Sequence, residues 1–237
     1  MINLNFLGVV DLYKRLSPSI KSSLIITIIL IIFCIVMANK AKKQDVNKAP
    51  KGILLLVEWL VSWVNGMCDD VLGAKGRRYA PLILTFVMFI FISNIAGLFG
   101  LHPPTANVAV TVALGFVAVF AIHIAGIKEG GFKNWLKGFL DPSPIMLPLN
   151  IISEIVTPFS LGMRLFGNIL SGVVIMNLVY GFLTSISVGS FALGSVIAPF
   201  VTPAFHAIFD VFFGAIQTYV FALLTIVFIS GKIPDEE

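Results

Sequence analysis

The chain has 237 residues, of which 58% are hydrophobic and only 12% are charged, and its mean hydropathy is +1.00. A typical soluble domain has about 25% charged residues, so a water-soluble protein of this length could not bury so much apolar surface. The formal net charge of +4 resides mainly in the segments between apolar runs, which indicates membrane orientation rather than a nucleic-acid partner.

The first apolar segment runs roughly over residues 20–38 and follows an expected interfacial stretch, residues 1–19. It is too long for a signal peptide and lacks a clear small-residue cleavage pattern, so we predict a retained membrane span. Five lysines follow between Lys40 and Lys51. Such a cluster predicts a cytoplasmic loop, because lysine and arginine are enriched on that side of a membrane.

Residues 52–67 are apolar but include Trp59 and Trp63, which suit the headgroup region, so this segment is predicted to be an interfacial amphipathic helix. A charged loop is predicted at residues 69–78. The second and third spans are predicted at residues 80–101 and 107–127, separated by His102 and two prolines. A second basic loop is predicted from Lys128 to Lys137.

The last hundred residues contain two much longer apolar segments, residues 145–186 and 191–230. Each has about double the length that a perpendicular crossing needs. Each is therefore either a pair of short spans or one long helix that is tilted or bent. Pro148, Pro158, Pro199 and Pro203 are typical sites of such bends.

These patterns predict an all-α polytopic membrane protein with about five membrane helices, the last two long and strongly tilted, and one interfacial helix. The whole chain, 1–237, is expected to form one membrane domain. Lysine and arginine positions predict an external N-terminus and a cytoplasmic C-terminus. Four parts are expected in chain order. Residues 1–51 form an N-terminal span with its basic loop, and residues 52–78 form an interfacial helix with its loop. Residues 79–143 form a helical hairpin, and residues 144–237 form a long helical pair.

Arg164 is the only basic residue between Lys137 and Lys232. A charged side chain near the centre of a bilayer costs about 3 kcal/mol on insertion scales, so it marks a functional site by default. Two structural alternatives are that Arg164 extends to an interface or that it pairs with Glu154. Polar and small residues at helical spacing form one stripe that includes it: Asn150, Ser153, Glu154, Thr157, Arg164, Gly167, Asn168 and Ser171.

A second stripe lies in the final apolar segment and consists of Thr202, His206, Asp210, Gly214 and Gln217. Asp210 is the only acidic residue between Glu154 and Asp235. A carboxylate in hydrocarbon is costly unless it is wet, paired or protonated. The two stripes predict helices whose polar faces meet, with water access near Asp210 and Glu154. The alternative is a structural hydrogen-bond cluster, formed by His206 and Gln217 above all, that locks the two helices together.

Three segments resemble the a subunits of F-type ATP synthases. Residues 160–168, Ser-Leu-Gly-Met-Arg-Leu-Phe-Gly-Asn, resemble the signature around the family's arginine. Residues 217–226 resemble its final helix, and residues 91–98 resemble an earlier helix that ends in Asn and Gly. The order, the spacing and the five-span layout extend the resemblance over roughly residues 20–230.

The resemblance implies a role for each site residue. Arg164 corresponds to the essential arginine that faces the ion-binding carboxylate of a passing c subunit, and Gln217 corresponds to the glutamine beside it. Asn168 falls on a polar position one turn along. Asp210 lies where relatives usually have His or Glu in a half-channel. Relatives often have a proton-handling residue nine positions after the arginine, where this sequence has Val173; Asp210, with His206 or Glu154, is then expected to serve the channel.

The resemblance further implies an ion-translocating stator in a bacterial plasma membrane. Such a subunit has no catalytic site, cofactor or metal of its own. Its expected partners are the c-ring, the b subunits of the peripheral stalk, the remaining ATP synthase subunits and the lipid bilayer, and not nucleic acid. The coupling ion, H⁺ or Na⁺, is set largely by the ring.

Three other functions fit the sequence less well. A secondary transporter is usually larger and built from repeated halves, which this sequence lacks. A haem-binding subunit needs paired axial ligands, whereas His102 lies at a helix end and His123 and His206 lack any haem-attachment context. A purely structural anchor would not retain a buried arginine on a polar stripe.

Overall fold

The protein is described from a computed structural model that covers residues 16–44, 50–140, 143–186 and 193–233. Within these ranges the regular structure is entirely helical. The helices are α1 Pro18–Lys42, α2 Ile53–Leu72, α3 Gly76–Ile95, α4 Val108–Lys137, α5 Leu147–Ser185, α6 Leu193–His206, a π-helical segment Ala207–Phe212, and α7 Phe213–Ser230. Both termini and the turn at residues 187–190, which contributed to the predicted orientation, lie outside the described residues.

The all-α polytopic prediction is confirmed. Five stretches in the described ranges are long and apolar enough to cross a membrane: Pro18–Lys42, Ile53–Phe99, Val108–Lys137, Pro144–Ser185 and Val196–Ser230. The interfacial position of α2 and the tilt of the last two helices stay predictions.

The two long apolar segments are each one continuous helical stretch, which decides between the two alternatives above. Helix α5 has 39 residues, a length of about 58 Å at 1.5 Å per residue, whereas the hydrocarbon core is about 30 Å thick. Residues 193–230 are likewise helical throughout. Pro148 lies in the first turn of α5, where its missing N–H costs nothing, and Pro158 lies inside the helix.

Two predicted loops are helical instead. The charged residues after Asp69 were expected in a loop, but α2 continues to Leu72 and a single 3-10 turn leads directly into α3. The basic residues 128–137 belong to α4, which is interrupted only at Gly131. Gly131 has φ of 75° and ψ of 157°, a conformation that glycine adopts without steric cost. The charge of these lysines correctly predicted that they would be exposed. It did not predict a loop, because lysine is also a good helix former and can remain exposed on a helix.

The core lies where α3 and α7 cross, with α2, α4 and α5 packed around them. Ile83, Ile90 and Ile226 are fully buried there. The rings of Phe86 and Phe221 meet edge to face with centroids 5.5 Å apart. Helix α1 lies at the periphery, since only Ser22, Ile26 and Met37 are buried along its described length.

Helices α4 and α5 touch backbone to backbone through two glycines. A Cβ atom on Gly115 would lie 2.1 Å from the carbonyl oxygen of Pro158, and one on Gly162 would lie 2.7 Å from that of Thr111. Small residues allow this close approach in membrane helices. Because Gly162 precedes Arg164 by two residues, this contact fixes the height and rotation of the turn that bears the arginine.

Candidate functional site

Arg164 lies near the middle of α5 with an exposed side chain. In the part of the chain that the structure describes, its guanidinium has neither a hydrogen bond nor an ion pair. The alternative in which Arg164 pairs with Glu154 is wrong, because ten residues of helix separate the two by about 15 Å. Glu154 instead pairs with Lys232 and His123. The guanidinium therefore faces outward, with no counter-ion among the described residues.

Helix α5 packs antiparallel against the final helical stretch in a regular register. The amide nitrogen Nδ2 of Asn168 donates to the carbonyl oxygen of Phe213 at 3.3 Å. One turn further along α5, a Cβ atom on Gly172 would lie 3.6 Å from the Cβ of Phe209. A step of four residues along α5 thus matches a step of four backwards along the other helix.

The same register places Arg164 level with Gln217, one turn beyond the contact of Asn168 with Phe213. The sequence predicted that these two stripes would meet, and Asn168 of the first stripe bonds to Phe213, the residue before Gly214 of the second. The side-chain Nε2 atom of Gln217 is buried and has no hydrogen-bond partner within the described residues. Its amide is thus an unsatisfied, buried donor at the level of the arginine.

Asn94 joins α3 to the same region of α7. Its Nδ2 donates to the carbonyl oxygen of Gly214 at 3.1 Å, and the residue is 1% exposed. A Cβ atom on Gly214 would lie only 3.1 Å from the Cβ of Asn94, so glycine is needed for this approach. Gly214, predicted as part of the polar stripe, therefore serves as a helix contact three residues before Gln217.

A chain of three polar side chains lies at the far end of α5 and is called here the outer cluster: Tyr180, His206 and Asp210. The hydroxyl of Tyr180 lies 3.0 Å from His206 Nε2, and His206 Nδ1 lies 2.7 Å from Asp210 Oδ2. The π-helical segment begins directly after His206 and includes Asp210. The structure thus joins two predicted site residues, His206 and Asp210, and adds Tyr180, which the sequence analysis missed.

A second polar group lies near the other end of α5 and is called here the inner cluster: Glu154, Lys232, His123 and Trp135. The ammonium of Lys232 bonds to one carboxylate oxygen of Glu154, and His123 Nε2 lies 3.3 Å from the other. Trp135 Nε1 donates to His123 Nδ1 at 3.2 Å. Because the indole N–H can only donate, His123 Nδ1 accepts this bond, and Nε2 is the nitrogen that faces Glu154.

A cavity of about 370 Å³ borders the inner cluster. Its polar lining comes from Ser153, Glu154 and Thr157 of α5 together with Lys232. Ser153, Glu154 and Thr157 belong to the stripe that continues to Arg164. The sequence analysis placed Glu154 near water but missed Lys232 and His123 as its partners, because nothing in a linear pattern relates residues so far apart.

Comparison with known proteins identifies the family. The family model described as "ATP synthase A chain" matches residues 21–230. The chain belongs to this family. It is 33% identical to ATP synthase subunit a of Bacillus subtilis over 94% of this chain and 96% of that protein. It is also 33% identical to the Oceanobacillus iheyensis subunit, with 92% and 90% covered, and 35% identical to the Mycoplasma genitalium subunit, with 90% and 79% covered.

Family membership confirms the resemblance found in the three sequence motifs. The chain is a multi-pass membrane protein of the ATP synthase A chain family, an integral component of the membrane sector and not a catalytic subunit. Membership also supports an ion-translocating stator role in general terms. The roles of the individual site residues are a separate matter, which the geometry above addresses.

Proposed function

We propose that this chain forms two aqueous half-channels beside a rotating c-ring and that Arg164 is the group at which each ring carboxylate loses its ion. The observation that carries the proposal is the exposed, unpaired guanidinium midway along α5, within the described part of the chain. A permanently charged group is costly at this depth. A fold that offers it no internal partner favours an acidic partner on another subunit.

The charge of Arg164 accounts for both coupling and the prevention of leakage. A ring carboxylate crosses lipid only when a proton or Na⁺ neutralises it. Close to the guanidinium, the opposite charge favours the ionised carboxylate, so the ion leaves. The fixed positive charge also repels a cation that moves directly from one half-channel to the other. Each elementary charge that crosses about 100 mV releases roughly 2.3 kcal/mol, which drives rotation.

The two clusters lie on opposite sides of Arg164 along α5, which supports two separate half-channels. The inner cluster and its cavity are ten residues before Arg164, and the outer cluster lies beyond it. The predicted orientation, with an external N-terminus, assigns the inner cluster to the cytoplasmic half-channel and the outer cluster to the external one. Asn168 and Gln217 flank Arg164 on the two long helices and would orient it toward the ring.

The exposed face of α5 is the proposed docking surface for the ring. Gly167 and Ser171 lie on it beside Arg164, and a Cβ atom on Gly167 would meet nothing within 4 Å. Val174, at 49% exposure, continues this face. Small side chains let a neighbouring helix approach closely. The remaining proposed partners are the b subunits and the rest of the ATP synthase complex in a bacterial plasma membrane.

The test is ATP-driven ion pumping by the complete complex in inverted vesicles. Arg164→Ala is expected to abolish pumping because no charge remains to discharge the ring carboxylate. Arg164→Lys is expected to fail largely, since a buried lysine can lose its proton whereas a guanidinium stays charged. Arg77→Ala is the matched control, because Arg77 is 80% exposed and pairs only with Asp69 among the described ion pairs. Normal pumping by the Arg164→Ala complex at equal chain levels refutes the proposal.

A further inference from the structure

The external half-channel poses a problem that the proposed function leaves open. Nine residues after Arg164, the chain has Val173, a hydrocarbon side chain that is 47% exposed and cannot exchange a proton. Asp210 alone would then have to collect protons from external water. Its side chain is only 22% exposed, and one oxygen is already bonded to His206.

Tyr180 occupies the same side of α5 as Val173, two turns further toward the outer end. Seven residues correspond to nearly two whole turns, so the two side chains share a face and differ in height by about 10 Å. Side chains on a helix also tilt toward its N-terminus, which brings the Tyr180 hydroxyl back toward His206. Tyr180 is 41% exposed, against 34% and 22% for the side chains of His206 and Asp210, so it is the outermost group of the cluster.

The hydrogen-bond roles within the outer cluster follow from the acceptor at its end. An ionised Asp210 can only accept, so His206 Nδ1 must donate across the 2.7 Å contact. The neutral imidazole then has its lone pair on Nε2, which accepts from the Tyr180 hydroxyl at 3.0 Å. All three groups are thus aligned, donor to acceptor, from the exposed tyrosine to the more buried carboxylate.

We propose that Tyr180 is the proton inlet of the external half-channel and transfers protons through His206 to Asp210. The inference rests on the proposed function of the chain. A hydronium ion in the external water gives one proton to the Tyr180 oxygen and becomes water, as the hydroxyl proton moves to His206 Nε2 and the Nδ1 proton moves to Asp210. The tyrosine ends as a neutral hydroxyl, the imidazole as the other neutral tautomer and Asp210 as a carboxylic acid.

The cycle closes when Asp210 delivers its proton toward an ionised ring carboxylate and becomes a carboxylate again. The imidazole returns to its first tautomer when water donates a proton to Nδ1 and accepts the proton of Nε2, and water reaches this side chain because it is 34% exposed. No charge accumulates, because one proton enters at the tyrosine for each one that leaves the aspartate. The relay thus replaces a single acidic group at position 173 with a hydroxyl and an imidazole.

Passive proton conduction through the membrane sector tests the proposal. The complete complex is placed in vesicles, the catalytic sector is stripped, and conduction is measured under a K⁺ diffusion potential at equal chain levels. Tyr180→Phe, which keeps the ring and removes the hydroxyl, is expected to lower conduction about a hundredfold, the lower end of what one proton-transfer group contributes. Tyr219→Phe is the matched control, since Tyr219 is also 41% exposed and its hydroxyl has no partner within the described residues.

Tyr180→His separates proton transfer from packing. Histidine exchanges protons but fills less space, so the relay predicts that Tyr180→His conducts better than Tyr180→Phe. A purely structural contact between α5 and α6 predicts the reverse order, which overturns the proposal. Equal conduction by Tyr180→Phe and Tyr219→Phe overturns it as well, as does a complex that conducts Na⁺ but no protons.

Arg164→Ala in vesicles that retain the catalytic sector shows which proposal fails. If Arg164→Ala abolishes ATP-driven pumping while Tyr180→Phe conducts like wild type, only the relay is wrong. If Arg164→Ala pumps normally, the proposed function of Arg164 itself is wrong.

Discussion

The glycine contact between α4 and α5 yields a prediction whose size follows from the coordinates. In Gly162→Ala, the added Cβ would lie 2.7 Å from the carbonyl oxygen of Thr111 and 2.7 Å from the Cα of Val112. Both atoms belong to the backbone, so no side-chain rotation relieves the overlap. Carbon atoms in contact prefer about 3.5–4.0 Å, so the two helices must separate by about 1 Å. Overpacking of this kind costs about 1–3 kcal/mol.

Thermal unfolding of the full chain in detergent measures this cost. A loss of about 2 kcal/mol corresponds to a midpoint lower by roughly 4–8 °C for a chain of this length. Gly181→Ala is the matched control on the same helix, because its Cβ would meet nothing within 4 Å and alanine favours helix over glycine. If both variants unfold at the wild-type temperature, the close packing of α4 on α5 is not as described. In the complete complex, Gly162→Ala should also reduce ATP-driven pumping, since Arg164 lies on the same turn.

Two further predictions concern the inner cluster and the exposed face of α5. Lys232→Met leaves the half-buried carboxylate of Glu154 without its cation and should lower the thermal midpoint; Glu154→Gln in that background should restore part of the loss, because no unpaired charge remains. An unchanged midpoint in the single variant would contradict the pairing. A cysteine at Val174, 49% exposed, should form disulfides with cysteines introduced on the outer surface of the ring, whereas one at Ile169, 6% exposed, should not. Equal cross-linking at both positions would exclude this face as the docking surface.

The local features of the site could be predicted from the sequence because they depend on one helix at a time. Arg164 was conspicuous because no other basic residue lies between Lys137 and Lys232, and the spacing of its polar neighbours fits a single helical face. His206 and Asp210 were placed on one stripe for the same reason, and the structure joins them at 2.7 Å. Helical periodicity is preserved whatever the rest of the fold does.

The partners across helices could not be predicted in the same way. Glu154 bonds to Lys232, which lies 78 residues later, because the end of α7 passes the start of α5. The position of α5 depends on its backbone contacts with α4 at Gly115 and Gly162. A glycine in a sequence indicates that another helix can approach closely, but it does not indicate which helix. The π-helical segment could not be predicted from the sequence either. Polar residues spaced by four lie on roughly the same face of an α-helix and of the wider π-helix, so their spacing does not distinguish the two. Tyr180 was missed because a lone tyrosine in an apolar run resembles an ordinary packing residue.

The separation of the two clusters explains why such a chain would need a moving partner. The register of α5 against the final helices places Asp210 level with Ser171, 17 residues beyond Glu154, which is about 25 Å along the helix axis. Between these levels stands Arg164, whose fixed charge opposes a cation that moves straight along the stripe. Under the proposed function, an ion from the outer cluster would therefore reach the inner cluster only on a group that neutralises it and travels around the guanidinium. A ring carboxylate that makes a full rotation through lipid would meet both requirements, so the arginine proposed to block leakage would also make rotation the conducting route.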